Sequence, residues 1–270
     1  INYKGFPKGK RVIYMMMPKI TGKSFSVKKI ARLMSKFGLK SDIRKPRQSL
    51  KAAHERLEKF TCPNLLKRRF RLARPFTHIL TDVSYLFYGA HSVAYLSVIK
   101  DAVTGRILAT VVSECNDLAM AMETLEQLKS YTFNDNAIFH SDQGILYLSE
   151  EFQKKVRKLG FRESMSRRGT CEDNSAQESF FGHFKDECDY KSCSSIDELR
   201  EMVISYMEYY NNERPQWTRN KMTPVEYEGY LNAMTSEQFD LYMSRETDKY
   251  EKMMALATER AKARAKLIMS

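Results

Sequence analysis

Three acidic residues could perform chemistry because each belongs to a segment that would hold it in place. Asp82 lies inside the apolar segment "LTDVSYL", Asp142 ends the segment "AIFHSD", and Glu178 lies on the predicted helix "SAQESFFGHF". If the two strands are neighbours in a mixed sheet, both Asp side chains project at one edge, and the helix can bring the Glu there. Three carboxylates cannot stay charged in one buried corner without a cation, so the pattern predicts a divalent-ion site.

Magnesium is the cofactor expected at this corner, as two ions per site for which Mn²⁺ could substitute. Two such ions, about 4 Å apart, activate an oxygen that attacks phosphorus and stabilise the oxygen that leaves. Gly144 is expected to let the backbone turn sharply away from Asp142. Singly, an Asp at a strand end is a common turn residue and a helical Glu is commonly solvated. Together the three residues predict cleavage or exchange of phosphodiester bonds.

Alternating segments beyond Pro75 predict an α/β layer architecture. Strands are expected within residues 77–88 and 91–113, the latter containing the turn "DAVTG". A helix at 116–131, capped by Asn116 or Asp117, precedes a fourth strand at 136–142, and a helix at 149–160 precedes a fifth at 161–166. Helices follow from about residue 175. The predicted fold is a five-stranded mixed sheet flanked by helices.

The positive charge of the chain is concentrated near its start. Residues 1–75 contain 22 Lys and Arg against 3 Asp and Glu, whereas residues 76–230 contain 16 against 24, within a total net charge of +12. A solvated surface helix is the simpler explanation, but such a charge density repels itself unless a polyanion neutralises it. Nucleic acid is therefore the favoured partner, because binding phosphates releases condensed counterions.

An amphipathic helix within residues 1–47 predicts a module similar to a helix-turn-helix. Ser24 or Ser26 can cap it, apolar residues recur at helical spacing from Ile30 to Phe37, and Gly38 ends it. A generic three-helix module would show the same pattern. Residues 48–75 are predicted as a basic helix and linker, 76–230 as the catalytic core, and 231–270 as a charged helical extension. The predicted DNA contacts of the basic region are Lys28, Lys29, Arg32, Lys36, Arg44, Lys45, Arg47, Lys67, Arg68, Arg69 and Arg71.

The spacing of the acidic residues resembles a known signature. Thirty-five residues separate Asp142 from Glu178, and Lys185 follows Glu178 by seven, similar to the D, D-35-E pattern of retroviral integrases and many bacterial transposases. The segments "HSDQG", "SMSRRGTCEDNSAQESFFGHFKDE" and "YYNNERPQWTRNKMTPVEY" resemble the catalytic subunit of insertion-sequence transposases made by frameshifting between two reading frames. The resemblance covers about residues 20–230. It departs at Ile79, where relatives commonly carry Trp, and at Gln216, where they carry His.

This resemblance implies an RNase H-like fold with Asp82, Asp142 and Glu178 as metal ligands, and with Lys185 reaching DNA near the cleaved end. It also implies copy-out, paste-in transposition, in which a 3′-hydroxyl attacks beside the other end of the element. Transposon ends and target DNA would be the partners. Bringing two ends together requires at least a dimer on DNA. The chain opens on Ile1, which leaves open an upstream-reading-frame partner or a fusion.

Residues flanking the Glu178 helix are further candidates for DNA contacts. Arg167 and Arg168 form either a solvated loop tip or a loop that grips phosphate. Asn174 either caps the helix or contacts DNA, and Arg214 belongs either to a helix-ending cap or to a phosphate contact. The core side of the helix is predicted to consist of Phe180, Phe181 and Phe184.

Other features exclude several classes of protein. Five cysteines without a C-x-x-C pair argue against a disulfide scaffold and a zinc knuckle. No segment approaches the roughly 18–20 apolar residues of a membrane span, so a cytoplasmic protein is expected. The resemblance to insertion-sequence transposases implies a bacterial protein that is associated with the nucleoid when bound to DNA. Two rivals to a transposase stay open: an RNase H-like nuclease that does not join strands, and a catalytically silent DNA-binding regulator derived from a transposase.

Overall fold

The chain forms two compact units, Ile1–Glu55 and Arg56–Ser270. The computed structural model describes residues 2–3, 6–7, 9–39 and 59–269. Three predicted DNA contacts, Arg44, Lys45 and Arg47, and residues 48–58 of the predicted basic helix and linker lie outside the described residues.

The first unit contains two short antiparallel strands, β1 (Asn2–Tyr3) and β2 (Phe6–Pro7), and two helices, α1 (Lys10–Thr21) and α2 (Val27–Lys36). The Ser26 hydroxyl caps α2 by accepting a hydrogen bond from the Lys29 N–H at 3.2 Å. Ile30 is buried. Helix α1, which contains Pro18, was not predicted. The basic residues of α2, all exposed, are Lys28, Lys29, Arg32 and Lys36.

A five-stranded mixed sheet forms the centre of the second unit, as the sequence predicts. Its strands are β3 (His78–Tyr88), β4 (Ser92–Asp101), β5 (Ile107–Ser113), β6 (Ile138–Ser141) and β7 (Arg162–Met165). Their order is β5-β4-β3-β6-β7. Strands β3, β4 and β5 pair antiparallel, whereas β3 with β6 and β6 with β7 pair parallel. Strand β6 therefore lies beside β3 although two strands and a helix separate them in the chain.

Helices cover both faces of the sheet. One face packs against α3 (Leu118–Glu126) and α4 (Glu150–Lys158) through a cluster that includes Phe139 and Phe152. The other face packs against α5 (Ser175–Glu187) and α6 (Ile196–Asn212), and here Phe180, Phe181 and Phe184 are buried as predicted. Because apolar side chains are buried on both faces, the sheet forms the middle layer of the core.

Two further helices complete the second unit. Helix α7 (Pro224–Asn232) begins with a capping box between Thr223 and Glu226, and the long helix α8 (Ser236–Met269) follows it. Phe239 of α8 packs with Val103 and Tyr227, so the start of α8 is anchored on the core. Within the described ranges, no helix is both long enough and apolar enough to cross a membrane.

Candidate active site

The parallel register of β3 and β6 sets two of the three predicted carboxylates side by side. Leu80 pairs with His140 in this register, and continuing it by two residues sets Asp82 beside Asp142. Neighbouring strands lie about 4.8 Å apart, so the two side chains leave the sheet close together. Glu178, on the first turns of α5, lines the same cleft of about 490 Å³. The structure thus brings the three residues to one cleft.

Each Asp side chain is oriented by a hydrogen bond to a neighbouring group. The Asn174 amide donates to Asp82 Oδ2 at 3.0 Å, and the Val83 N–H donates to Asp82 Oδ1 at 2.8 Å. The Gly144 N–H donates to Asp142 Oδ1 at 2.8 Å. A Cβ at Gly144 would lie 2.8 Å from that same oxygen, so any other residue here would displace the Asp142 carboxylate from its present position. The expected sharp turn is therefore better described as a close approach of the backbone to the carboxylate.

Burial and crowding change the acidity of the cleft. Burial, together with the nearby carboxylates of Asp142 and Glu178, raises the pKa of Asp82 to about 7, against the lowering effect of the hydrogen bond from the Val83 N–H. Burial also raises the pKa of Asp142, while the Gly144 N–H opposes the change. Negative charge is therefore poorly compensated in this cleft.

Asn174 orients Asp82 instead of capping α5. Its side chain makes no cap hydrogen bond to the helix, and its amide turns to Asp82. The cap prediction was wrong because a 3₁₀ helix, Cys171–Asn174, leads directly into α5 and directs this residue inward. The amide oxygen of Asn174 is buried and accepts no hydrogen bond from the described residues.

Arg167 and Arg168 have different surroundings on the loop before α5. Arg168 is exposed at the rim of the cleft. Arg167 forms a bidentate pair with Asp173, with nitrogen–oxygen distances of 2.8 and 2.9 Å, and its backbone N–H donates to the same carboxylate. Arg68 and Asn64 of the linker also donate to Asp173. The loop is therefore tied to the linker through one buried carboxylate.

Asp173 is expected to stabilise the second unit. Replacing Asp173 with Asn removes several charge-assisted hydrogen bonds from a buried carboxylate. Because Arg167 is largely exposed, solvent screens part of this loss, and the free energy of unfolding at pH 7 should fall by about 2 kcal/mol. These hydrogen bonds lower the pKa of Asp173, so its contribution should be present near neutral pH and disappear as the pH falls through that lowered pKa. Urea unfolding of the full chain measures the change.

Glu172 provides the matched control for that measurement. Its carboxylate is exposed and lies 3.6 Å from Arg68. Replacing Glu172 with Gln should change the free energy of unfolding by less than about 0.5 kcal/mol. Equal losses in the two variants would contradict the role assigned to Asp173.

The remaining predicted contacts lie away from the cleft. Lys185 is exposed on α5, seven residues beyond Glu178, and Arg214 forms a bidentate pair with Glu187. Among the linker residues, Arg69 lies 3.9 Å from Glu251, and Arg71 donates to the Thr218 carbonyl at 2.7 Å. Lys67 is exposed.

Lys100 is a buried neighbour of the cleft that sequence reasoning missed. Its ammonium donates to the Ala176 carbonyl in the first turn of α5 and lies 5.5 Å from the centre of the Phe180 ring. Burial lowers the pKa of Lys100 well below its ordinary value, whereas the Asp82 carboxylate acts in the opposite direction. The signal was present in "YLSVIKD", where a lysine interrupts an apolar strand on the face that carries Asp82.

Comparison with known proteins agrees with this arrangement. Residues 73–171 and 159–224 match the family described as the integrase core domain. The chain is 34% identical over 208 residues to InsK of Escherichia coli (strain K12), assigned as the transposase of insertion sequence element IS150, covering 76% of this chain and 72% of InsK. It is 33% identical over 201 residues to an uncharacterized transposase-like protein of Haemophilus influenzae, covering 74% of this chain and 91% of that protein.

A solved structure gives a more distant likeness. The magnesium-bound catalytic core domain of HTLV-2 integrase aligns with 58% of this chain and 97% of its own, with 14% identity and a TM-score of 0.46. The identities to the two bacterial relatives, over most of their lengths, establish the relationship. The chain belongs to the insertion-sequence transposases that carry an integrase core domain, and it is a DDE-type polynucleotidyl transferase acting on DNA.

Proposed function

We propose that this transposase cuts the ends of its insertion sequence and joins their 3′ ends to other DNA, with Asp82, Asp142 and Glu178 as ligands of two Mg²⁺ ions. The observation that carries the proposal is the register of β3 and β6, which sets two of these carboxylates side by side in the cleft that the third lines. Integrase-like cores imply use of a divalent metal. The number and identity of the ions are part of the proposal.

The chemistry of the cleft fits a hard cation. The raised pKa of Asp82 means that, without a metal ion, a proton neutralises part of the negative charge of the three carboxylates. A cation could neutralise the same charge, and carboxylate oxygens are the ligands that Mg²⁺ prefers. The buried Asn174 oxygen, which lacks a hydrogen-bond donor among the described residues, could accept a hydrogen bond from a water molecule that enters with the ion.

Some rearrangement must accompany metal binding. No three His, Cys, Asp or Glu side chains in the described part of the chain are already arranged to hold a metal ion. Like charges resist closer approach until a cation is present. Glu178 is exposed on α5, and we propose that its side chain turns into the cleft when ions bind.

In the proposed mechanism the protein orients the ligands and the DNA. Two ions, when bound, would activate the attacking oxygen and stabilise the leaving oxygen of a displacement at phosphorus. Asn174 and the Gly144 N–H fix the two Asp side chains before DNA arrives. Arg168 at the rim would contact the scissile strand, and Lys185, about 10 Å further along α5, would contact DNA beyond the cut.

The basic residues outside the cleft are proposed as phosphate contacts that hold the DNA. In α2 the exposed lysines and arginine would follow a DNA groove, and in the linker the exposed Lys67 and Arg69 would contact the backbone. Joining two ends requires two active sites or one site used twice. In either case the two ends must be held together, and we propose that at least a dimer does this on DNA.

A strand-joining assay tests this function. Duplexes carrying the element's own ends are incubated with the full chain, a target plasmid and Mg²⁺, and the products are separated on a denaturing gel. Joined products are expected. Nicks without joining would instead indicate a nuclease, and shifted but uncut DNA would indicate a regulator.

Metal binding is expected to depend on pH because Asp82 must lose its proton. With a pKa of about 7 in the metal-free protein, apparent affinity for Mg²⁺ should fall by up to about tenfold for each pH unit below 7 and level off above it. Because its pKa is raised on folding, protonated Asp82 favours the folded metal-free protein. This contribution of Asp82 to the free energy of unfolding is at its maximum below about pH 4 and is lost as the pH rises through 7.

Isothermal titration with Mn²⁺ at pH 6, 7 and 8 measures this dependence. Asp186, an exposed carboxylate on α5 that does not line the cleft, supplies the control through Asp186→Asn, which should leave the profile unchanged. A pH-independent affinity in the wild-type chain would count against Asp82 as a ligand.

A further inference from the structure

A second cleft lies on the other side of α5 from the carboxylates. It measures about 310 Å³ and shares no lining residue with the active-site cleft. Ala176, Ser179 and His183 of α5 form one wall, and the segment 214–219 forms another. None of the described residues that line it is acidic. Its lining includes the basic and aromatic residues Arg71, Lys100, His183, Arg214, Trp217 and Arg219.

The positive charge of this second cleft is only partly neutralised. Arg214 is paired with Glu187, but Arg71, Lys100 and Arg219 form no salt bridge with any described residue. These three side chains donate to backbone carbonyls: those of Thr218, Ala176, Ala102 and Val103.

The field of these charges points to an anionic ligand. Lys100 and Arg219 are both nearly fully buried, and burial lowers the pKa of each, while the Asp101 carboxylate acts in the opposite direction. Because burial disfavours the charged form of Lys100, the positive charge of the second cleft is assigned to the guanidinium groups of Arg71 and Arg219. A cleft lined by one sign of charge with weakly polarisable walls concentrates oppositely charged ligands. A phosphate group is the anion that the rest of this protein handles.

Trp217 supplies a second, independent feature at the rim. Its side chain is 81% exposed, the highest value among the exposed large apolar residues of the described chain. Lys221 lies over the indole ring at 4.9 Å, which leaves one face of the ring covered by a cation. An exposed indole surrounded by positive charge is suited to stacking on a nucleic-acid base.

We propose that the second cleft binds one unpaired nucleotide of a DNA strand, with its phosphate held in the cationic cleft and its base stacked on Trp217. An unpaired nucleotide is required because a base inside a duplex has no open face to stack. The cleft volume is at the lower end of the roughly 300–1,000 Å³ of small-ligand pockets, which suits a single unit of the strand. This inference rests on the proposed function, because an unpaired nucleotide arises beside a site that cuts DNA. Helix α5 would then lie between the active-site cleft and a second cleft that binds the displaced or flanking strand.

The single tryptophan of the chain makes the test direct. Because Trp217 is the only one, tryptophan emission of the full chain, excited selectively over its tyrosines, reports this site alone. The chain is titrated with a duplex that carries a single-stranded tail, with the fully paired duplex, and with inorganic phosphate. Anisotropy of labelled DNA measures total binding in parallel, and the strand-joining assay is run on the same proteins.

The tailed duplex is expected to quench Trp217 emission strongly, and the paired duplex and phosphate to quench it little. Trp217→Ala should weaken binding of the tailed duplex by about tenfold, Trp217→Phe should restore most of the affinity, and Arg71→Gln should reduce both the quenching and the affinity. Phe87→Ala is the matched control, since Phe87 is a 64% exposed aromatic on β3 that does not line the cleft.

Three results would overturn the inference. One is unchanged emission while anisotropy shows that the tailed duplex is bound. Another is equal quenching by phosphate alone, and the third is an equal loss of affinity in Phe87→Ala. Normal strand joining together with any of these would reject the second cleft while leaving the proposed function standing. Absence of joining by the wild-type chain, with the expected quenching present, would reject the proposed function and leave nucleotide binding at Trp217.

Discussion

Replacing Asp142 with Asn, or Glu178 with Gln, is expected to lower the rates of end cleavage and strand joining by about a thousandfold or more. Each change removes the negative charge of one proposed metal ligand and leaves the shape of the side chain almost unchanged. The Asp142→Asn change is not expected to disturb the local fold, because the Gly144 N–H can still donate to a side-chain oxygen at that position. Glu178 is exposed, so its loss should not affect folding either. Single-turnover assays with labelled ends measure both rates.

The matched control for these variants is Asp186→Asn on the same helix, which should join strands at the wild-type rate. DNA affinity, measured by anisotropy without divalent ions, should stay within about threefold of wild type in all three proteins, since the variants leave the basic residues proposed as phosphate contacts unchanged. If either Asp142→Asn or Glu178→Gln joins strands at about a tenth of the wild-type rate or faster, that residue is not a ligand of the catalytic metal ions.

Replacing Phe184 with Ala is expected to lower the free energy of unfolding by about 3–5 kcal/mol, because a fully buried ring leaves a cavity between α5 and the sheet. The ring stacks on Tyr190 with centroids 5.5 Å apart and meets the edge of Tyr206 at 5.0 Å. For a unit of this size the melting temperature should fall by about 10 °C. Scanning calorimetry or thermal circular dichroism of the full chain measures the shift.

The comparison variant for this cavity is Phe87→Ala, which removes an exposed ring from β3. Its effect on stability should be below about 0.5 kcal/mol. Because α5 carries Glu178, the Phe184 variant should also join strands more slowly at temperatures where it is still folded. A loss of stability no larger than that of the Phe87 variant would mean that α5 is not held by this aromatic cluster.

The strands could be predicted because each carries an apolar run bounded by turn residues. The turn "DAVTG" separates β4 from β5, and the fourth and fifth strands fall within one to two residues of their predicted limits. The convergence of Asp82 and Asp142 followed from supposing that their strands are neighbours, which the parallel pairing of β3 with β6 confirms. Helical spacing likewise predicted the buried side of α5.

The partners of the site residues could not be predicted, because they come from distant parts of the chain. Asn174 and Asp82 are 92 residues apart, and Asn64 and Asp173 are 109 apart. Nothing local distinguishes an Asn that caps a helix from one that orients a carboxylate. The apolar run around Lys100 marks it as an unusual lysine, but its contact with the Ala176 carbonyl depends on α5 packing over β4, which the strand sequence alone does not show.

The most direct test of the central claim is anomalous diffraction from crystals of the full chain soaked in Mn²⁺, recorded with and without bound DNA ends. Two anomalous peaks about 4 Å apart are expected, each in contact with carboxylate oxygens of Asp82, Asp142 and Glu178 in at least the DNA-bound crystals. Peaks that lie elsewhere, or Mn²⁺ bound by one carboxylate while the other two stay apart with DNA present, would contradict it.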